Sequence, residues 1–274
     1  MGHIICIASL KGGVGKTTTA VNLSASFAQE GHKTLLIDCD PQGSATTGIG
    51  VNKTKLRGSI YDAMVRTVPI RETVLDTELE CLKVIPVRGE FFRAELELMS
   101  RTGKERVFCD LFADIRDEYE YIILDTPPSL GLISINALTA TDSLLIPLQC
   151  EFLAYESLIQ LLRFARLVKK NLNTGITLTG VLLTMYDMGE KTSQQIADNS
   201  RKHLGNAIFD TVIPRSVQLR EASGIGKPLL LLDPDSVGAL SYLKLKREII
   251  GRRNQPDTRN IISNNMEENG LHGE

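Results

Sequence analysis

The sequence predicts a single α/β domain in which a mostly parallel, twisted sheet carries helices on both faces. Three observations lead there. Short apolar runs without polar alternation recur along the chain, the pattern of strands buried on both faces. Between them lie longer stretches with apolar positions at helical spacing, which makes strand–helix–strand units. A glycine-rich loop joins the first apolar run to the first helical stretch.

The first run is HIICIAS, residues His3–Ser9. After the glycine loop, Thr17–Gln29 has helical spacing and Gly31 is placed to stop it. KTLLID (Lys33–Asp38) reads as a second buried strand, and Leu82–Val87 as a short third, ended by Arg88 and Gly89. Phe91–Arg116 reads as helix in two pieces, broken near Gly103. Further strands are expected at Tyr121–Asp125, Ser143–Pro147, Ile176–Thr184 and Ile208–Ile213. Helices are expected at Leu132–Leu138, Ala154–Leu172, Ser193–His203 and Ser236–Ile250, and Gly48–Gly58 as a surface loop. The domain is expected to span residues 1–253. Asn254–Glu274, with five Asn and four large apolar residues, reads as a flexible polar tail.

Composition narrows the class. The chain has 274 residues, 42% of them hydrophobic and 23% charged, as in ordinary folded proteins. Its five cysteines are widely spaced with no C-x-x-C pair, which argues against a disulfide framework or zinc ribbon and for a reducing compartment. No basic leader precedes the first strand, and no apolar run approaches the roughly 18 residues of a membrane helix, so a cytoplasmic protein without membrane attachment is expected. A net charge of −2 argues against a histone-like nucleic-acid binder, but it hides an asymmetry. Residues 71–125 hold 8 basic and 14 acidic side chains, residues 163–253 hold 15 and 8, so a polyanion-binding face is one reading and an unevenly charged surface the other.

The loop itself, Ser9–Thr18 (SLKGGVGKTT), is where chemistry enters. Glycines between a buried strand and a helix let backbone N–H groups converge on phosphate at the positive end of the helix. In the usual G-x-x-x-x-G-K-[ST] pattern the lysine, here Lys16, reaches the β- and γ-phosphates and the next hydroxyl, Thr17, ligates Mg²⁺. Leu10 stands at the first glycine position, and Lys11 adds a second lysine that phosphate cradling alone does not require. Carboxylates end two of the predicted strands: Asp38 and Asp40 in LLIDCDPQG, and Asp125 in YIILDTPP. Such positions line the ligand crevice of parallel sheets. The four histidines are scattered, so no zinc site or Ser-His-Asp triad competes.

KGGVGKTT resembles the deviant Walker A motif of the ParA/MinD group of P-loop ATPases. DxDPQG resembles that group's switch I, and the Asp125-Thr-Pro-Pro segment its Walker B. GVLLTMYD (Gly180–Asp187), TVIPRSV (Thr211–Val217) and EASGIGKP (Glu221–Pro228) are similar to the ParA/Soj partition branch, so the likeness runs over about residues 3–250. It implies a Mg²⁺-dependent ATPase that binds ATP through Lys11, Gly12, Gly13, Val14, Gly15, Lys16, Thr17, Thr18 and Gln42, with Met185, Pro214 and Arg215 at the adenine. It implies catalytic roles for Lys11, Lys16 and Asp40: Lys11 reaches across a nucleotide-sandwich homodimer to the partner's phosphates, and Asp40 positions the attacking water. Thr17 and Asp125 serve the metal, with Asp38 standing behind it or acting as a hydrogen-bonding group. The family further implies non-specific DNA binding in the ATP-bound dimer, nucleoid association and a ParB-like activator.

For the DNA face, Arg163, Arg166 and Lys170 share one side of a helix, and Arg220, Lys244 and Arg247 extend the set. Gln218 stands where many relatives have an arginine implicated in DNA contact, so either Arg220 substitutes or DNA binding is weaker or displaced. Two other readings within the superfamily remain: a MinD-like division-site ATPase, which needs an amphipathic C-terminal anchor that the Asn-rich tail does not resemble, and a ParA-like protein that positions another cargo, such as a protein array.

Overall fold

The computed structural model of the chain describes residues 1–88, 91, 93–151 and 154–253, so the predicted tail lies outside the described residues. The strands are β1 (His3–Ile7), β2 (Thr34–Asp38), β3 (Leu75–Asp76), β4 (Leu82–Ile85), β5 (Tyr121–Asp125), β6 (Ser143–Gln149) and β7 (Thr177–Thr184). Among the described residues they form one seven-stranded sheet in the order β3-β4-β2-β5-β1-β6-β7. All pairs are parallel except β3 with β4 at the edge. The two-residue β3 left no pattern that could be read in the sequence.

Alternate strand residues feed two cores, which is why the strands are apolar throughout. Ile4, Cys6, Leu35, Ile37, Ile122 and Leu124 face one layer. Its helices are α3 (Ile60–Met64), α4 (Ala94–Met99), α5 (Val107–Ala113), α6 (Leu132–Ala140), α7 (Ala154–Asn171) and α8 (Lys191–Leu204). Ile5, Ile7, Leu36, Ile123 and Leu145 face the other. That layer contains α1 (Lys16–Gln29), α2 (Ser44–Gly48), α9 (Val217–Ile225), α10 (Leu229–Leu232) and α11 (Val237–Arg253). The break predicted near Gly103 is present between α4 and α5, where Gly103 takes a left-handed φ of 73°.

One predicted strand is corrected. Ile208–Ile213 runs beside β7 without a continuous ladder: Phe209 N donates to Val181 O at 3.0 Å and Ile213 N to Leu183 O at 2.9 Å, with isolated bridges at Val181–Ile208 and, just past both segments, at Tyr186–Pro214. Its middle amides turn away from the sheet: Asp210 N and Thr211 N donate to the Glu248 carboxylate at 2.9 and 3.0 Å. A side chain from α11 thus takes the hydrogen bonds that a ladder needs. The loop predicted at Gly48–Gly58 holds a short 3₁₀ turn, Lys53–Lys55, with the Asn52 side chain accepting from Thr54 N at 3.0 Å.

Candidate nucleotide site

The phosphate loop leaves the C-terminal end of β1, at the centre of the sheet. Gly13 and Gly15 have φ of 76° and 89°, left-handed values that glycine adopts without strain. No side chain caps α1, so its first amides are left for a ligand. Thr184 at the end of β7 braces the loop by donating its hydroxyl to Val14 O at 2.9 Å. Lys16, 7% exposed, folds back with Nζ 3.4 Å from Lys11 O. Burial pulls its pKa below the usual lysine range, and the Asp125 and Asp40 carboxylates oppose that shift.

Sheet register supplies the carboxylates. β2 and β5 pair so that Asp38 lies directly beside Asp125, at their C-terminal ends. Both are fully buried. Burial is the main force raising the Asp38 pKa to about 6, against hydrogen bonds from Thr46. Asp125 is pushed well above its ordinary value, first by burial and then by the neighbouring Asp38. The nearby negative charge of Asp40 adds to the rise at both carboxyls, and that of Asp38 adds to the rise at Asp125.

Their bonding separates their roles. Asp38 Oδ1 accepts from Asp40 N at 3.1 Å, and Oδ2 accepts from Thr46 N and Thr46 Oγ1, both at 2.7 Å. Asp38 therefore takes the hydrogen-bonding role and fixes the turn after β2. Asp125 Oδ2 accepts the Thr17 hydroxyl at 2.8 Å, while Oδ1 is buried with no hydrogen-bond partner. An orphaned carboxylate oxygen beside a phosphate-loop hydroxyl fits a magnesium ion held through water, Thr17 and ligand phosphate. Among the described residues no three His, Cys, Asp or Glu side chains gather as a protein metal cage, which suits magnesium's usual mode.

Asp40, 9% exposed, closes the turn: its Oδ1 accepts from Gln42 N at 2.9 Å and its carbonyl from Gly43 N at 2.8 Å. A cleft of about 570 Å³ connects these parts. Of the residues expected from sequence, Gly12, Gly13, Gly15, Lys16, Thr17, Thr18, Asp40, Gln42 and Met185 line it. Met185 takes a φ of 52°, rare for a side chain of its size. Val14 is buried behind the loop. Pro214 and Arg215 do not line the cleft but are pinned beside Met185, with Arg215 N donating to Tyr186 O at 3.0 Å. Lys11 is likewise outside the lining: its Nζ lies 2.7 Å from Glu151 Oε2, whose other oxygen accepts from Gln149 Nε2 at 2.6 Å. Sequence reasoning passed over Lys53, Thr47, Ser223 and Gly224, which do line the cleft; the small-residue stretches ATTGIG and ASGIG were the signal for the last three, and Lys53 had none.

The family's identity follows from whole-chain similarity together with this loop geometry. A profile of an AAA-domain family matches residues 2–178. The chain is 45% identical to the chromosome partitioning protein ParA of Myxococcus xanthus, covering 92% of this chain and 89% of that protein. It is 46% identical to the sporulation initiation inhibitor protein Soj of Bacillus subtilis, covering 91% and 98%. The chain belongs to the ParA/Soj family. Among solved structures, the cobyrinic acid a,c-diamide synthase of Mycobacterium smegmatis with bound ATP analogue and magnesium superposes with a TM-score of 0.83 at 27% identity, covering 94% of this chain and 98% of that one. The cell division ATPase MinD of Pyrococcus furiosus has the same fold, with a TM-score of 0.74 at 24% identity over 92% of this chain and 99% of that one.

The basic residues expected at a DNA face are divided between helices of the two layers. Arg163, Arg166 and Lys170 lie on α7, which packs on one side of the sheet. Arg220 on α9 and Lys244 and Arg247 on α11 belong to the opposite layer. Arg247 pairs with Glu30 at 3.4 Å, and Gln218 donates to Asp233 Oδ2 at 2.9 Å. Lys170, Arg220 and Lys244 are exposed. Among the described residues no helix is long and apolar enough to cross a membrane.

Proposed function

We propose that this protein is an ATP-dependent, dimerising ATPase switch for DNA segregation, resident in the cytoplasm on the nucleoid and driven by a ParB-like activator. The observation that carries the proposal is the unpartnered Asp125 Oδ1 beside Thr17, opposite Lys16 and Asp40. Mg²⁺ would be held by Thr17 and, through water, by Asp125, and it would neutralise phosphate charge. The loop amides and Lys16 bind and orient the polyphosphate. Asp40, at the cleft wall, accepts a hydrogen bond from the attacking water and aligns it with the γ-phosphorus. Lys11 leaves Glu151 and crosses a dimer interface to the partner's phosphates. The names of the ParA and Soj relatives support chromosome partition as the task.

Co-sedimentation with DNA tests this, run with ADP, with ATP, and with Asp40→Ala plus ATP across a salt series. Binding should require ATP, ignore sequence, weaken steeply with salt and be trapped by Asp40→Ala. Equal binding with ADP and ATP would sink the switch. A second reading, a ParA-like ATPase that positions another cargo, draws support from the division of the basic residues between two faces of the sheet. ATP-dependent dimerisation without DNA binding at any salt would favour it.

A further inference from the structure

Among the described residues two lysines line the nucleotide cleft, and one of them has no place in the Walker A scheme. With Lys11 turned to Glu151, the pair is Lys16 and Lys53. Lys53 stands on the 3₁₀ turn Lys53–Lys55, which the Asn52 side chain fixes through Thr54 N and Thr54 Oγ1 at 3.0 and 2.8 Å. Its Nζ donates to Gln42 O at 2.8 Å. Neighbouring Lys55 and Arg57 are exposed, whereas Lys53 is half-buried against the turn that carries Asp40. Among the described residues Lys53 has no carboxylate partner.

Gly43 shows how close that contact is. At φ 64° it carries no side chain, and a Cβ there would come 2.6 Å from Lys53 Nζ and 2.8 Å from Val87 Cγ1. The turn Asp40–Gly43 is thus held from three directions. Asp38 Oδ1 takes Asp40 N from beneath, and Asp40 binds the amides of Gln42 and Gly43 within. Lys53 pulls the Gln42 carbonyl outward, the one hold that comes from another segment of surface chain. Without it the Gln42–Gly43 peptide loses its outer restraint, and its amide, Gly43 N, is the donor to Asp40 O that closes the turn, next to the Gln42 N–H that orients the Asp40 carboxylate.

We propose that Lys53 is a positioning residue for ATP hydrolysis, acting on Asp40 through the Gln42 carbonyl. The inference rests on the ATPase reading for its kinetic consequence, but the clamp itself exists in the nucleotide-free chain, so two readouts keep them apart. In hydrogen exchange without nucleotide, Lys53→Met should speed exchange of amides 42–47 and leave 12–18 unchanged; unchanged exchange at 42–47 overturns the clamp. In steady-state hydrolysis of MgATP, Lys53→Met should lower kcat ~10–100-fold with KM changed little, the loss expected for a misaligned reacting geometry. Lys53→Arg, which keeps a donor within reach, should restore most of it. A rise in KM at unchanged kcat would make Lys53 a phosphate-binding cation and refute the positioning role. A wild-type rate no higher than that of Lys16→Ala would sink the ATPase reading, while the exchange result still decides the clamp.

Discussion

Thr46→Val tests whether the buried Asp38 carboxylate is held by charge-assisted hydrogen bonds. The change preserves volume and removes only the hydroxyl, which donates to Asp38 Oδ2 at 2.7 Å and accepts from Val87 N at 3.0 Å. Both partners are buried. A hydrogen bond to a charged group contributes about 1.5–3 kcal/mol, and an orphaned buried amide costs about 1–3 kcal/mol. At pH 8, with Asp38 ionised, the sum is about 4 kcal/mol, or roughly 8–16 °C in Tm for a domain of this size. The Asp38 pKa of about 6 supplies a sharper signature. At pH 5 the carboxyl holds its proton, the bond to it falls to the neutral range of about 0.5–1.5 kcal/mol, and the Val87 share of about 1–3 kcal/mol is unchanged. Thermal melts of wild type and variant at pH 5 and pH 8 read this directly. A Tm deficit that is the same at both pH values would refute the reasoning, because the Thr46 hydroxyl would then not be stabilising a carboxylate.

The raised pKa of Asp38 has its own pH dependence. The group adds stability that is fully present below its ordinary value near 4 and is lost as pH rises through about 6. The loss is about 3 kcal/mol for a shift of this size. Mg²⁺ with nucleotide should therefore raise Tm more at pH 8 than at pH 5, by calorimetry, and an equal gain would argue against a metal beside Asp125. Lys11→Ala should melt within about 2 °C of wild type, since its partner Glu151 is half exposed and such pairs contribute little, and fluorescent-nucleotide titration of the monomer should show near-normal affinity. Gly226→Ala should cost at least about 1 kcal/mol in denaturant melts, because Gly226 closes α9 at φ 81° and a Cβ would meet Thr47 O at 2.9 Å. Stability equal to wild type would mean that the α2–α9 contact gives way easily.

What could be read from sequence was whatever one segment decides alone. The strands β1, β2, β5, β6 and β7, the helix α1 and the phosphate loop each carry a local signal in burial pattern, spacing or glycine. The separate roles of Asp38 and Asp125 came only through the family resemblance, because their geometry depends on register between strands 87 residues apart in sequence. Ile208–Ile213 has the composition of a strand, and only Glu248 on α11 reveals why it does not become one. Lys53 sits in a stretch that looks like any polar loop. The charge asymmetry was real in sequence, but the topology distributes it over both faces of the sheet, which no one-dimensional count registers.

The matched AAA-domain segment ends at residue 178, inside β7, yet the fold does not end there. On α1, buried Thr19 shares a hydrogen bond with Tyr242 of α11 at 3.3 Å, and Asn22 accepts from Leu229 N at 2.8 Å through its side-chain oxygen. Both sit within two turns of Lys16. A fragment cut at the family boundary would bare two polar side chains on an otherwise apolar helix face and leave β7 unfinished. The matched profile is thus shorter than the packed fold, which the full-length relatives share. The helices α10 and α11 form the outer wall of the helix on which the phosphate loop depends.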